Sequence, residues 1–283
     1  MRYGTNEPLL TTISIMAESY RLRDLPAPLP LLRSFARKVL QQLPTPCPLC
    51  KQSALGGLLC GPCRDEVTAS TRAAGPRCAV CRLWLNGLNS VSVLVGSSEY
   101  VMDCPDCALL QPEFDRVITA FDYVAPGNAL IHQFKTARQF AHSRFLGQLL
   151  VEAALSATPP LPSNTILVPV PSSAEALIRR GFNPAAELAR HVGSRTGLPV
   201  RGGLLRRVFN GLEQKNLSRA ERANATRQLY ACTRSVQGMH LTVVDDVMTT
   251  GSTLQAISRE LKSQGAYAVT GLVLARTPYQ GIN

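Results

Sequence analysis

The 283-residue sequence predicts an α/β fold, a parallel sheet wrapped by helices, with a small cysteine-organised module in front of it. Three observations predict this. From Arg116 onward, apolar β-branched runs of strand length alternate with stretches of helical spacing, the pattern of β–α units whose strands run parallel. Eight of the nine cysteines fall in four Cys-x-x-Cys pairs. The run LTVVDDVMTTGST, residues 241–253, joins a buried strand, two adjacent acids and a small-residue loop to the start of a helix.

Residues 1–33 mix proline, arginine and short apolar runs without sustained periodicity, so little order is expected there. Residues 34–43 (SFARKVLQQL) have a helical pattern that Pro44 and Pro46 stop. The cysteine module follows, with Trp84 and the VSVLV run at 91–95 expected to pack it, because small folds need every apolar contact beside their metal. RVITAFDY from Arg116 reads as a strand, 129–134 and 145–155 as helices, and TILVPVP at 165–171 as a buried strand ended by prolines. Asn183 and Pro184 suit the N-cap and first turn of a helix reaching Arg195. A strand at 241–245, a helix from Ser252 with Leu254, Ile257 and Leu261 on one face, and a last strand near 267–275 complete the series. The expected divisions are a poorly ordered extension at 1–44 with a short helix, a metal module at 45–110 and the α/β domain at 111–283.

The cysteine pairs are Cys47/Cys50, Cys60/Cys63, Cys78/Cys81 and Cys104/Cys107. Each pair sets two thiolates on one tight knuckle, half of the tetrahedral shell of a structural Zn²⁺, so four pairs imply two zincs. The intervals between pairs are nine, fourteen and twenty-two residues, which suit sequential ribbons; a cross-braced pairing is also compatible with them. The competing reading is a disulfide framework of a secreted domain. It is disfavoured because the first twenty residues contain Glu7 and Glu18 and lack the apolar core and cleavage site of a signal peptide. A cytoplasmic, reducing location is therefore expected. Cys232, alone, reads as a small half-buried hydrophobe.

The formal charge is +11. Eight thiolates with two Zn²⁺ add −8 + 4 = −4, leaving about +7, because the ligating thiols are deprotonated. No apolar run approaches the roughly 18 residues of a membrane helix, so no membrane insertion is expected. The basic excess concentrates at 201–230, where Arg201, Arg206, Arg207, Lys215, Arg219, Arg222 and Arg227 face Glu213 and Glu221, a local +5. Such a run reads as a solvated helical face, as a flap over a polyanionic ligand, or as a nucleic-acid patch. Only Phe209 and Tyr230 are aromatic there, which disfavours a stacking platform.

At 245–253 the chemistry is that of a phosphorylated sugar. A loop at the carboxyl end of a parallel strand receives the free N–H groups and positive dipole end of the next helix, which favours an anion. Gly251 permits a tight turn against a phosphate, and Thr249, Thr250, Ser252 and Thr253 add hydroxyl donors. Asp245 and Asp246 would repel that phosphate unless they face sugar hydroxyls or a Mg²⁺ carried with the ligand. It is not a Walker A loop, since Ser252 stands where the lysine after the glycine should be.

This motif resembles the 5-phosphoribosyl 1-pyrophosphate (PRPP) motif of type I phosphoribosyltransferases. The resemblance implies that the paired acids hold the ribose hydroxyls and the loop amides the 5′-phosphate. Over 45–277, about four fifths of the chain, the sequence is similar to the ComF family, in which a double zinc ribbon precedes a phosphoribosyltransferase-like domain. Its markers are the four cysteine pairs, FDRVITAFDY, LIHQFK around Lys135, LVPVP with RRGFN, LSRAERAN, and VVDDVMTTGST with VLART. By that resemblance the fold class is α/β, a parallel-sheet type I phosphoribosyltransferase-like domain with a small N-terminal double zinc ribbon. It assigns pyrophosphate to 170–183 with Arg180 as its charge, and a closing flap to about 209–228. In this chain SSAEALI with Glu175 replaces further basic residues, Pro184 replaces the glutamine after RGFN, and Phe209 and Gly211 replace an arginine and a threonine. A complete ribose-phosphate site beside a weakened pyrophosphate site is the expectation, with little affinity gained from the pyrophosphate.

The resemblance implies three functions. The first is a protein of DNA uptake and competence that handles single-stranded DNA and binds PRPP or ribose 5-phosphate. The second is an active transferase moving a 5-phosphoribosyl group to a nitrogenous acceptor and releasing pyrophosphate, with Asp245 and Asp246 steadying the cationic sugar and Mg²⁺ and Arg180 the leaving group. The third is a zinc-ribbon adaptor for a protein partner such as a competence helicase. His132 and His142 read as ordinary helix residues in all three.

Overall fold

A computed structural model describes residues 42–72, 75–85, 90–95, 99–136, 142–208 and 229–279. Residues 34–41 of the expected first helix, and Lys215, Arg219, Arg222 and the rest of the expected flap, lie outside the described residues.

Four parallel strands form the central sheet: β5 (Arg116–Asp122), β6 (Ile166–Pro169), β9 (His240–Met248) and β10 (Ala268–Arg276), in the order β5-β10-β9-β6. β9 and β10 are its centre, and both are buried nearly throughout, as strands covered on two faces must be. On one face lie α3 (Gly127–Thr136), α4 (His142–Leu155) and α6 (Pro184–Thr196), which bury Phe121, Phe134, Leu146, Leu150 and Leu188. On the other lies α7 (Ser252–Ser263), whose Leu254, Ile257 and Leu261 meet Val243 and Val273. The helical spacing of those three residues is the pattern that placed the helix in the sequence. Asn183 caps α6 as expected, its Oδ1 accepting from the Ala185 amide at 3.0 Å.

Two features depart from the sequence expectation. The strand expected at 241–245 continues to Met248, so Asp245 and Asp246 sit within the strand end and not in the loop after it; the parallel partner β10 pairs as far as Met248 and holds this stretch extended. The segment 170–183 contains a short helix, α5 (Ala174–Arg180), capped by Ser173 and closed by Gly181 at φ +80°. Within the basic segment, β7 (Leu205–Arg207) pairs with β8 (Tyr230–Cys232) as a small antiparallel ribbon. Cys232 is half-buried there, its thiol pushed up to about 11 by burial, as suits a packing cysteine.

The cysteine module comprises a ribbon of β1 (Pro44–Pro46) and β2 (Ser53–Leu55), α1 (Gly61–Arg72), a hairpin of β3 (Val91–Val95) and β4 (Glu99–Asp103), and α2 (Pro105–Leu110). Residues 44–283 form one compact unit, in which this module covers the free edge of β5. The Val117 amide donates to the Val80 carbonyl at 2.7 Å, the Asp122 amide to Ser70 Oγ at 3.3 Å, and Thr71 Oγ1 to the Ala120 carbonyl at 3.1 Å. An edge strand that would otherwise expose a ladder of unpaired backbone groups is thereby closed. Trp84 serves the module through Arg77, whose guanidinium lies 4.9 Å from its ring centroid. No helix among the described residues is long and apolar enough to cross a membrane.

Arg77 is also the module's buried anchor. Its guanidinium makes a bidentate pair with Asp122 at 3.0 and 2.8 Å and donates to the carbonyls of Ser70 and Arg82, with 4% and 7% of the two side chains exposed. Removing one partner strands a buried charge, which typically costs about 3–5 kcal/mol. Arg77→Met is accordingly expected to lower the unfolding free energy by about that amount in urea titrations, and a loss below about 1 kcal/mol would contradict the anchoring role.

Candidate functional site

Successive residues of a strand point to opposite faces, and at the end of β9 this divides the acid pair. Asp246, buried, turns to the α3 face, where Lys135 Nζ meets its carboxylate at 2.9 Å. Asp245 turns toward Tyr230 and Arg207 of the β7–β8 ribbon and shares the cavity with Thr253 of α7. Burial, and then the neighbouring Asp246 charge, raises the Asp245 carboxyl to about 7. Two carboxylates so placed suit hydroxyl donors or a hard divalent cation, either of which relieves their repulsion.

The loop 249–251 leads into α7. Gly251 is its N-cap, in the left-handed region at φ +83°, and has no side chain with which to cap the helix; the Ser252 amide donates to Thr250 Oγ1 at 3.3 Å. Thr250 and Ser252 hydroxyls lie 3.1 Å apart, Thr249, Thr250 and Ser252 are exposed, and Thr253 is half-buried. The result is a cluster of amide and hydroxyl donors at a helix N-terminus, the local chemistry of an anion site.

A cavity of about 440 Å³ opens beside the acids. Asp245, Asp246 and Thr253 line it together with Arg179, Arg180 and Asn183, with Lys135 at Asp246 and with Arg207 and Tyr230 on the Asp245 side. Asn183 is held there by donating from Nδ2 to the Val170 carbonyl at 2.9 Å while capping α6. Of the residues singled out from sequence, Asp245, Asp246, Thr253, Arg180 and Arg207 meet at this cavity, Thr249, Thr250, Gly251 and Ser252 form the adjoining loop, and Arg206 is exposed on the ribbon. Lys135, Arg179 and Tyr230 were not assigned to the site from sequence. LIHQFK contained Lys135 and RRGFN contained Arg179, but only the fold brings Lys135 to Asp246 and Arg179 to the same cavity. His132 and His142 do not line it.

The cysteines meet in two groups, Cys47/Cys50/Cys60/Cys63 and Cys78/Cys81/Cys104/Cys107, which is the sequential pairing. Within each group the sulfurs lie within 4.8 Å of one another. Zn–S bonds of about 2.3 Å in a tetrahedron require sulfurs about 3.8 Å apart. Cys50 and Cys60 are 3.6 Å apart, and so are Cys81 and Cys104. Backbone amides of Cys60 and Cys81 point at the sulfurs of Cys47 and Cys78 at 3.5 and 3.4 Å, the outer-shell donors that orient such ligands. Both groups therefore fit zinc. All four cysteines of the second are buried, and hydrogen bonds from Cys107 and Cys78, with the Arg276 guanidinium adding, hold the Cys81 thiol well below the ordinary thiol range.

A doubly covered parallel sheet, acids at the carboxyl end of its central strand and a phosphate-type loop behind them define a domain of the type I phosphoribosyltransferase fold, here joined to two four-cysteine sites compatible with zinc ribbons. A family profile described as "Phosphoribosyl transferase domain" matches residues 176–280. The chain is 32% identical over 180 residues to "DNA utilization protein YhgH" of Salmonella typhi, covering 62% of this chain and 78% of that one. It is 30% identical over 182 residues to "Competence protein F" of Haemophilus influenzae, covering 62% and 80%. Against "Competence protein ComFC" of Bacillus subtilis the identity is 33% over 113 residues, 40% and 45% of the two chains. The chain belongs to the ComF family.

Two equivalents of zinc per chain are expected on denaturation in the presence of a chromogenic chelator. Cys104→Ser should retain one, with lower thermal stability, since structural zinc binding contributes directly to folding free energy. Full zinc content in that variant would contradict the assignment.

Proposed function

We propose that this chain binds a 5-phosphoribosyl ligand, PRPP or ribose 5-phosphate with Mg²⁺, at the carboxyl end of β9, and that it serves single-stranded DNA handling in the cytoplasm. The observation that carries the ligand is that Asp245, Asp246 and Thr253, from the two ends of the 249–251 turn, line one cavity. In this reading the loop amides and hydroxyls take the 5′-phosphate, and the two carboxylates accept from the ribose hydroxyls or from the ligand's Mg²⁺. Bound with PRPP, Mg²⁺ would neutralise pyrophosphate charge beside the acids. The DNA reading draws on the relatives' names, "DNA utilization protein" and "Competence protein F". It also draws on cations away from the ligand cavity. Arg201 and Arg206 are exposed near the ribbon, and Arg72, Arg82 and Arg116 line a second cavity of about 430 Å³ between α1, α4 and β5.

Phosphoribosyl transfer is a second reading, and one observation favours it. Arg179 and Arg180 line the ligand cavity from the 170–183 side, and Arg207 and Lys135 line it elsewhere, so the cavity holds more positive charge than the SSAEALI sequence implies. The bond from ribose C1 to pyrophosphate oxygen would break as a nitrogen of the acceptor attacks C1. Asp245 and Asp246 would balance the positive charge that builds on the ring, and the arginines would hold the departing pyrophosphate. The adaptor reading, with the zinc module docking a helicase, has no comparable support in the cavity.

Calorimetry with Mg²⁺ is expected to give binding of both ligands, PRPP the tighter because of these cations, and loss of at least tenfold in affinity in Asp245→Asn/Asp246→Asn. Absence of binding by both ligands would remove the proposal. Its pH dependence has a defined sign. A carboxyl raised to about 7 leaves the free fold more stable with Asp245 protonated, so that stability declines as pH climbs from the ordinary carboxylate range through 7. The ligand needs the ionised form, so its affinity should rise from pH 6 to pH 8, with proton release on binding at the lower end. A flat profile would show that Asp245 does not take part.

For nucleic acid, neutralising Arg82 and Arg116 together as glutamines should weaken single-strand binding and reduce the slope of log K against log salt by about 1.4, two phosphates at about 0.7 each. An unchanged slope would exclude the second cavity, and no salt-dependent binding by the wild type would leave the adaptor reading in its place.

A further inference from the structure

The two sites, the second four-cysteine group and the 249–253 loop, share one side chain. Arg276 ends β10 in register with Met248, the last residue of β9, and is 6% exposed. Its guanidinium uses every nitrogen. Nε donates to the Cys81 carbonyl at 3.2 Å, and Nη2 to the Cys81 sulfur at 3.8 Å. Nη1 donates to the carbonyls of Met248 at 3.3 Å, Thr277 at 2.9 Å and Thr249. One half of a rigid planar fork thus grips a cysteine of the metal group 195 residues away in sequence. The other half grips the carbonyls from which the donor loop departs.

The chemistry of each half asks for the other. Four thiolates around one Zn²⁺ leave a net charge of −2, which a buried cation offsets, and N–H···S bonds are the usual outer shell of such a site. Binding the Met248 and Thr249 carbonyls to Arg276 fixes the origin of the loop, and with it the place of the hydroxyls and amides that follow. Lysine cannot replace this fork, since its single ammonium has no planar arrangement that spans both sets of acceptors.

We propose that Arg276 is a positioning residue through which metal at Cys78/Cys81/Cys104/Cys107 sets ligand affinity at residues 249–253. Metal fixes Cys81, Cys81 fixes the guanidinium, and the guanidinium fixes the backbone of the loop. Coupling between two binding sites is reciprocal, so the ligand must also hold the metal. The inference rests on the phosphoribosyl reading of the loop.

The test measures both directions on the full zinc-loaded chain, with ribose 5-phosphate and Mg²⁺ as the probe. In the wild type, release of zinc to a chromogenic chelator should be biphasic, and ribose 5-phosphate should slow one equivalent and leave the other unaffected. In Arg276→Lys, ribose 5-phosphate affinity should fall at least tenfold, the scale of lost outer-shell partners, and the protected zinc equivalent should leave faster. Equal protection of both zincs, or of neither, in a wild type that binds ribose 5-phosphate would overturn the coupling and leave the binding reading standing. So would a folded Arg276→Lys with wild-type affinity. Failure of the wild type to bind ribose 5-phosphate would overturn both. Zinc release from the wild type needs no variant, so it decides for or against the coupling even where Arg276→Lys misfolds.

Discussion

The pairing of β9 with β10 is the constraint on which the rest of the molecule depends. These two central strands run parallel from His240 and Ala268 to Met248 and Arg276, and their register decides what stands at the carboxyl edge. It keeps β9 extended past the acids, so that strand alternation sends Asp246 toward Lys135 and Asp245 toward Tyr230. It sets the start of the 249–251 turn, and with it the direction of α7. It also brings Arg276 level with Met248, within reach of Cys81. A one-residue slip would exchange the faces of the two carboxylates and bury the wrong one.

The cysteine module is held to this sheet by more than proximity. Arg77 and Asp122 form a desolvated pair across the junction, backbone and hydroxyl groups of the module close the edge of β5, and Arg276 reaches back from the far end of β10. Zinc suits such a junction because its thiolate shell is dense, directional and strongly negative, so arginines gather around it. Arg77, Arg82 and Arg276 all lie near the second group, and among the described residues only Arg77 of the three has a carboxylate of its own. The second cysteine group, the sheet edge and the start of the 249–251 turn are therefore joined through these arginines.

What the sequence made legible was whatever is local. The acids, the glycine and the hydroxyls of 245–253 are contiguous, and each knuckle is four residues long, so both chemistries could be read directly. Alternating strands and helices were legible for the same reason. Sequence spacing left the zinc pairing open, because it fixes knuckle geometry and not how knuckles meet; folding resolves it as sequential. The strand boundary was placed too early since two aspartates have poor strand propensity, which the buried pairing with β10 overrides. Lys135, Arg179, Tyr230 and Arg276 were invisible as site residues because their partners lie far off in sequence. Arg276 stood in plain view within VLART, where an arginine closing an otherwise apolar strand is the signal of a buried polar partner.

The central claim is that the edge of β9 is a phosphoribosyl site, and a crystal structure with ribose 5-phosphate and Mg²⁺ tests it most directly. The expected result is phosphate on the amides and hydroxyls of residues 249–253, with the sugar hydroxyls or the cation on Asp245 and Asp246. A ligand seated at the second cavity, beside Arg82 and Arg116, with the β9 edge empty, would contradict it.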